Sequence, residues 1–266
     1  HVFGPYLYRS EFWATTPEEE SARALQHLER VIQAEGPETI AAILLESLPG
    51  TAGILVPPPG YLAGVQEIAN RYGIMLILDE VMAGFGRTGH WLALDQDGVV
   101  PDLITFAKGV NSGYVPVGGV MISDPIAHFF DDRVFPGGLT YSGHPLGAAS
   151  VVATIRAMED EGIVENAATI GTDHLGPALA ALADKHPVIG EVRGRGVFWA
   201  IELVADRGTK APLPAADMAR LRKDLLARGL LPFIQDNRIH VVPPLIVTPA
   251  EVTRGVDIID QALAAL

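Results

Sequence analysis

Two short apolar runs, Ile40 to Leu45 and Ile74 to Leu78, flank a Pro and Gly loop and a helical stretch from about Gly60 to Tyr72, and this order constrains the chain most. Strand, helix, strand is the signature of an α/β unit with parallel strands. Neither run alternates with polar residues, nor do Leu103 to Phe106 and Val117 to Ile122, so all four suit strands covered on both faces. Upstream, Thr16-Pro17-Glu18-Glu19 joins an N-cap hydroxyl, a proline at the first helical position and a glutamate three after the cap. It opens a helix carrying Leu25, Leu28, Val31 and Ile32 that ends near Gly36. Pro145 to about Lys185 reads as helical with a break near Gly162. After Pro187 come apolar runs at Val197 to Leu203 and Ile239 to Val242, separated by a helix from about Ala215 to Arg228, and a last helix opens at Thr248-Pro249-Ala250-Glu251. The expected organisation is an α/β chain with a large domain over 1–160, a connecting helix over 161–186 and a smaller α+β domain over 187–266.

The formal charge of −13, from 19 Lys and Arg against 32 Asp and Glu, disfavours nucleic acid and anionic membrane surfaces as partners. A small-molecule ligand is expected. The absence of cysteine excludes disulfides and thiolate zinc sites and fits a cytoplasmic protein. No apolar stretch approaches the roughly 18 residues of a membrane span. The opening His1-Val-Phe-Gly-Pro-Tyr reads as the middle of a loop, so a preceding piece is expected.

Of the four lysines, Lys185, Lys210 and Lys223 sit in polar or helix-surface contexts. Lys108 instead follows Leu103-Ile-Thr-Phe-Ala107 and precedes Gly109, at the carboxyl end of an apolar strand, where open α/β sheets place their ligands. Partial desolvation there lowers a lysine's pKa and frees its amine to attack a carbonyl carbon. Taken alone, a Lys-Gly pair at a sheet edge is more often a snorkelling lysine. Its neighbours change that balance: Asp79 and Glu80 end the run Ile74 to Leu78, placing an acidic pair at the same edge if the strands are parallel. A carboxylate there serves as metal ligand, general base or counter-ion to a cationic cofactor. The eight histidines are scattered without ligand spacing, which weakens the metal reading. Pyridoxal phosphate (PLP) needs a lysine to form an imine and an acid to keep its pyridine nitrogen protonated, and Lys108 and Asp79 supply both. Gly84-Phe-Gly86-Arg-Thr-Gly89 matches G-x-G-x-x-G in form only. It neither follows the strand directly nor opens an amphipathic helix, so it reads as a tight-turning loop beside the acidic pair.

Three segments, Ile77-Leu-Asp79-Glu-Val81-Met-Ala-Gly84-Phe-Gly86-Arg87-Thr-Gly89, Pro101-Asp102-Leu-Ile-Thr-Phe-Ala-Lys108-Gly109 and Gly113-Tyr-Val-Pro116-Val-Gly118, together resemble the signature of class III, omega-type aminotransferases. The likeness continues through Thr140-Tyr-Ser142-Gly143-His-Pro145, Val192-Arg-Gly194-Arg-Gly196 and Pro243-Pro244-Leu245. The resemblance implies a fold type I PLP enzyme with a mostly parallel sheet and helices on both faces. It also implies a homodimer, possibly a tetramer, with active sites at the subunit interface. It implies that Asp79 bonds the pyridine nitrogen, Val81 packs on one ring face, Lys108 is the Schiff-base lysine and Thr140 reaches the cofactor phosphate across the interface. Without the resemblance Thr140 reads equally well as a capping hydroxyl before Ser142-Gly143. Glu46 matches the glutamate of the family's Glu-Pro segment, with Ser47 in place of the proline, and stands at the site's edge. Met82 replaces a glutamine found in many members, which leans toward the amine:pyruvate branch. His240 stands where an arginine often binds a substrate carboxylate, with Arg238 two residues earlier, leaving the carboxylate-binding group open. Family members are longer in front, where they hold a phosphate-binding loop and a ring-stacking aromatic. The implied reaction moves an amino group from an amine or amino acid to pyruvate or 2-oxoglutarate. An aminomutase or decarboxylating transaminase, or a truncated non-catalytic dimerising protein, are the alternatives.

Overall fold

The computed structural model describes all residues 1–266. They form two compact units, each assembled from three stretches of chain: 1–48, 57–85 and 92–161 in the first, and 49–56, 86–91 and 162–266 in the second.

In the first unit, β1 (Ala42–Glu46), β2 (Met75–Asp79) and β3 (Leu103–Phe106) run parallel in that order, and β4 (Gly119–Ile122) adds antiparallel to β3. Helix α1 (Pro17–Glu35) starts where the Thr16 hydroxyl accepts from the Glu19 amide at 3.2 Å. Helix α2 (Tyr61–Tyr72) stops at Gly73, whose φ of 65° suits a residue without Cβ. Ala24, Leu28 and Ile32 of α1 and Tyr61, Leu62 and Val65 of α2 bury against Ile43, Leu76 and Leu78 of the sheet. Each fully buried Leu or Ile there contributes roughly 1.5–3 kcal/mol. The two helices approach closely at Gly64, where a Cβ would lie 2.3 Å from Leu25 Cδ1. The short α3 (Asp124–Phe129) and the long α4 (Pro145–Asp160) complete the unit. The expected burial of β4 on both faces is not found: Val120, Met121 and Ile122 are 53%, 40% and 46% exposed. An apolar run reports what a strand prefers to bury, not what its chain supplies to cover it.

The second unit contains α5 (Ile163–Thr169), a π-helical turn over Ile170–Leu175 and α6 (Gly176–Lys185) in one continuous helical path, opened by Gly162 at φ 60°. Its sheet is antiparallel, ordered β5 (Ile189–Arg195), β6 (Phe198–Asp206), β9 (Arg238–Val241) and β8 (Phe233–Gln235), with β7 (Ala211–Pro212) pairing β6. Helix α7 (Ala215–Ala227) and helix α8 (Pro249–Ala264) bury Met218, Leu221, Leu225, Val252 and Ile259 with Ile189, Ile201, Leu203 and Ile239. The anticipated start of α8 is a full capping box between Thr248 and Glu251. No helix is long and apolar enough to cross a membrane.

Candidate functional site

Parallel pairing of β2 and β3 aligns Asp79 with Thr105, and pairing of β1 with β2 aligns Glu46 with Asp79. Lys108 follows Thr105 by three residues, so Glu46, Asp79 and Lys108 belong to one sheet edge, at the carboxyl ends of three neighbouring strands. Asp79 is half-buried, and its Oδ1 accepts from the Val81 amide at 2.8 Å, leaving Oδ2 open to a ligand. The Lys108 side chain is exposed while its backbone lies at φ +45°, a left-handed conformation that an L side chain resists. Its successor is fixed by packing: a Cβ on Gly109 would lie 3.1 Å from Phe85 Cβ. Phe85 is itself left-handed at φ +56°, and its ring sits 5.9 Å from that of Phe106. Val81 and Met82, half-buried, follow Asp79 into the turn.

The acidic pair of the sequence divides. Side chains alternate along a strand, so Asp79 meets the open edge while Glu80 turns inward to complete burial. There Glu80 accepts from the amides of Ala93 at 2.8 Å and Leu94 at 3.0 Å. Desolvation raises its pKa, opposed by the Ser47 hydroxyl and those two amides. A second group not singled out from sequence is Asn111, also buried. It donates to the Val115 carbonyl at 2.6 Å and the Ser150 hydroxyl at 3.1 Å, and accepts from the Gly113 amide at 3.2 Å, pinning the turn after Lys108 to α4. An amide side chain just past a strand-end lysine was the available signal. The segment Gly84–Gly89 makes successive turns with no helix behind it, as a non-nucleotide loop should.

Thr140 lies in an exposed turn, on a concave surface of about 900 Å³ lined by 115–118 and 139–148. Exposed Tyr114, Val134, Phe135, Leu139, Tyr141 and Leu146 lie along the same stretches of chain.

His240 and Arg238 belong to the second unit. The buried His240 ring meets Phe233 edge-on at 5.0 Å, and burial, then Arg238 and Arg193, push its pKa down to about 4. Arg238 donates to the Ala52 carbonyl at 3.0 Å and to Asp236 at 2.6 Å. Arg87, whose pKa burial lowers to about 10, donates to the Pro243 carbonyl at 2.6 Å.

An acid and a lysine at the carboxyl edge of a parallel sheet, with the lysine held in a strained backbone, define an α/β protein with a carbonyl- or cofactor-binding amine. The sequence pattern described as aminotransferase class-III matches residues 5–263, and the chain belongs to that family. It is 38% identical over 255 residues to the hypotaurine/taurine–pyruvate aminotransferase of Paracoccus denitrificans, covering 91% of this chain and 55% of that one. It is 35% identical to the putrescine–pyruvate aminotransferase of Pseudomonas aeruginosa, covering 100% and 59%. Among solved structures, an (S)-enantioselective omega-transaminase from Thermomicrobium roseum superposes with TM-score 0.92 at 40% identity, over all of this chain and 60% of that one. A taurine:2-oxoglutarate aminotransferase from Bifidobacterium kashiwanohense, solved with PLP and glutamate, gives TM-score 0.94 at 36% identity with the same coverage. The chain therefore has the fold of PLP-dependent transaminases and spans 55–60% of the length of these relatives.

Proposed function

We propose that the chain carries the catalytic lysine and acid of a PLP-dependent transaminase, moving an amino group from an amine or amino acid to a keto acid. The observation that carries this reading is the placement of Asp79 and Lys108 at the ends of adjacent parallel strands. The residues fit the cofactor: Asp79 offers an open carboxylate oxygen for a protonated ring nitrogen, and Lys108 offers an exposed amine for a carbonyl. Bound there, the cofactor supplies an electron sink for the bond broken at the donor's carbon. Asp79 keeps the ring nitrogen protonated by ion pairing, a fixed electrostatic role. Lys108 acts as general base, taking the proton from the carbon that bears the donor's amino group, and later returns a proton as general acid. Val81 bounds one face of the ring.

The names of the relatives support pyruvate or 2-oxoglutarate as acceptor, and Met82 leans toward pyruvate. The exposed apolar side chains along 114–146 support pairing with a second copy, through which Thr140 reaches the cofactor phosphate of the other subunit. A cytoplasmic location belongs to the same reading. The test adds PLP to the purified chain, follows violet absorbance, then adds an amine donor and compares wild type with Lys108→Ala. A band that requires Lys108 and bleaches with donor supports the reading. A band unaffected by Lys108→Ala overturns it.

A further inference from the structure

Glu80 makes bonds to three separate segments. Its backbone N–H donates to the Thr105 carbonyl at 2.9 Å and its carbonyl accepts from the Gly84 amide at 2.9 Å. Its carboxylate, with no exposure, holds the amides of Ala93 and Leu94. Gly84 and Ala93 are the two ends of an excursion whose middle, 86–91, clusters in the second unit, so Glu80 closes the base of that excursion. Space for a larger residue at Gly84 is absent, since a Cβ would meet the Glu80 carbonyl at 2.8 Å. The next residue, Phe85, packs on Gly109 and Phe106, the two neighbours of the Ala107-Lys108 pair.

We propose that Glu80 is a positioning residue that couples the strand end bearing Asp79 to the backbone of Lys108. Its burial commits Asp79 to the opposite side of β2, because successive strand side chains alternate. Its closure of the excursion fixes the Gly84-Phe85 turn, and that turn supports Lys108-Gly109 in the left-handed conformation that Lys108 does not adopt unaided. A buried carboxylate is expensive to keep, and burial raises its pKa here. A stabilising anchor alone would not require contact with both halves of the site.

Amide hydrogen exchange on the cofactor-free chain tests the coupling directly. Glu80→Gln turns an NH₂ group toward an amide N–H, and exchange in 84–94 and 107–112 is expected to speed up together, by about tenfold. Leu28→Ala, a core change in α1, is expected to alter neither segment beyond its effect on global stability. Ala93→Pro removes one donor at a helix-start position that tolerates proline and gives a smaller change in the same two segments. Faster exchange confined to 84–94 overturns the proposal. A second arm depends on the proposed function: with PLP bound, the pH midpoint of the violet band moves in Glu80→Gln and not in Leu28→Ala. A wild-type chain that shows no band refutes the functional reading and leaves the exchange result to decide the role of Glu80. A band with an unmoved midpoint in Glu80→Gln overturns the coupling.

Discussion

The carboxyl edge of β1 to β3 and the sheet β5-β6-β9-β8 treat charge in opposite ways. At the first, Lys108 stands exposed on a strained backbone and Asp79 keeps an open oxygen. Within the second, Arg193 and Glu202 are 8% and 2% exposed, and Arg193 bonds Glu202 at 2.8 Å, Glu191 at 2.6 Å and the Gly53 carbonyl at 2.8 Å. Charge left open costs stability and offers reactivity, whereas charge fully paired in the interior contributes specificity of packing and is costly to disturb. Chemistry is therefore expected at one sheet and fragility at the other.

The largest effect expected from this contrast is kinetic. Lys108→Ala should lower the transamination rate by roughly 10²–10⁴-fold or more, while its unfolding midpoint in urea stays within about 0.5 kcal/mol of wild type. A large stability loss at this position would break the comparison. Next comes Glu202→Ala, which strands the Arg193 guanidinium in the interior and should cost about 3–5 kcal/mol in denaturant titration. A smaller effect is set by pH at His240. Its folded pKa of about 4 lies below the model value of 6.5, so the unfolded chain takes up the proton first. Its contribution is complete above pH 6.5 and is lost as pH falls toward 4; between pH 7 and 5 wild type should lose about 1–2 kcal/mol more than His240→Gln. Parallel pH profiles for the two proteins would refute this. The smallest effect involves Asp260, which pairs with Lys185 at 2.6 Å and His186 at 2.5 Å, bonds that lower its pKa below 3.8. Its stabilisation is present above that value and disappears as pH falls through the lower folded pKa. Wild type and Asp260→Asn should thus differ in urea midpoint at pH 5 and converge in stronger acid.

Much of the first unit was legible because its signals are local. Short apolar runs, the Thr16 cap and the Gly73 stop each act within a few residues, and the parallel order places Asp79 and Lys108 on one edge. Less of the second unit could be read. Strand β5, Ile-Gly-Glu-Val-Arg-Gly-Arg, has too many charges and glycines to look buried, since its burial depends on Arg193 meeting Glu202 across the β5-β6 pair. Strand β8 is three residues long and follows Pro232, so no periodicity marks it. At the site, the two carboxylates of Asp79-Glu80 looked alike as letters, and only strand alternation and the distant Ala93 and Leu94 amides separate their roles.

Interleaving has a consequence for how such a protein is made and altered. Gly53 leaves the ribosome 140 residues before its partner Arg193, so a loop that belongs to the second unit must wait through the synthesis of most of the first. Such long-range closure slows folding. It also means that neither unit is a cassette: no single cut releases one, and recombination within 49–91 would sever both at once.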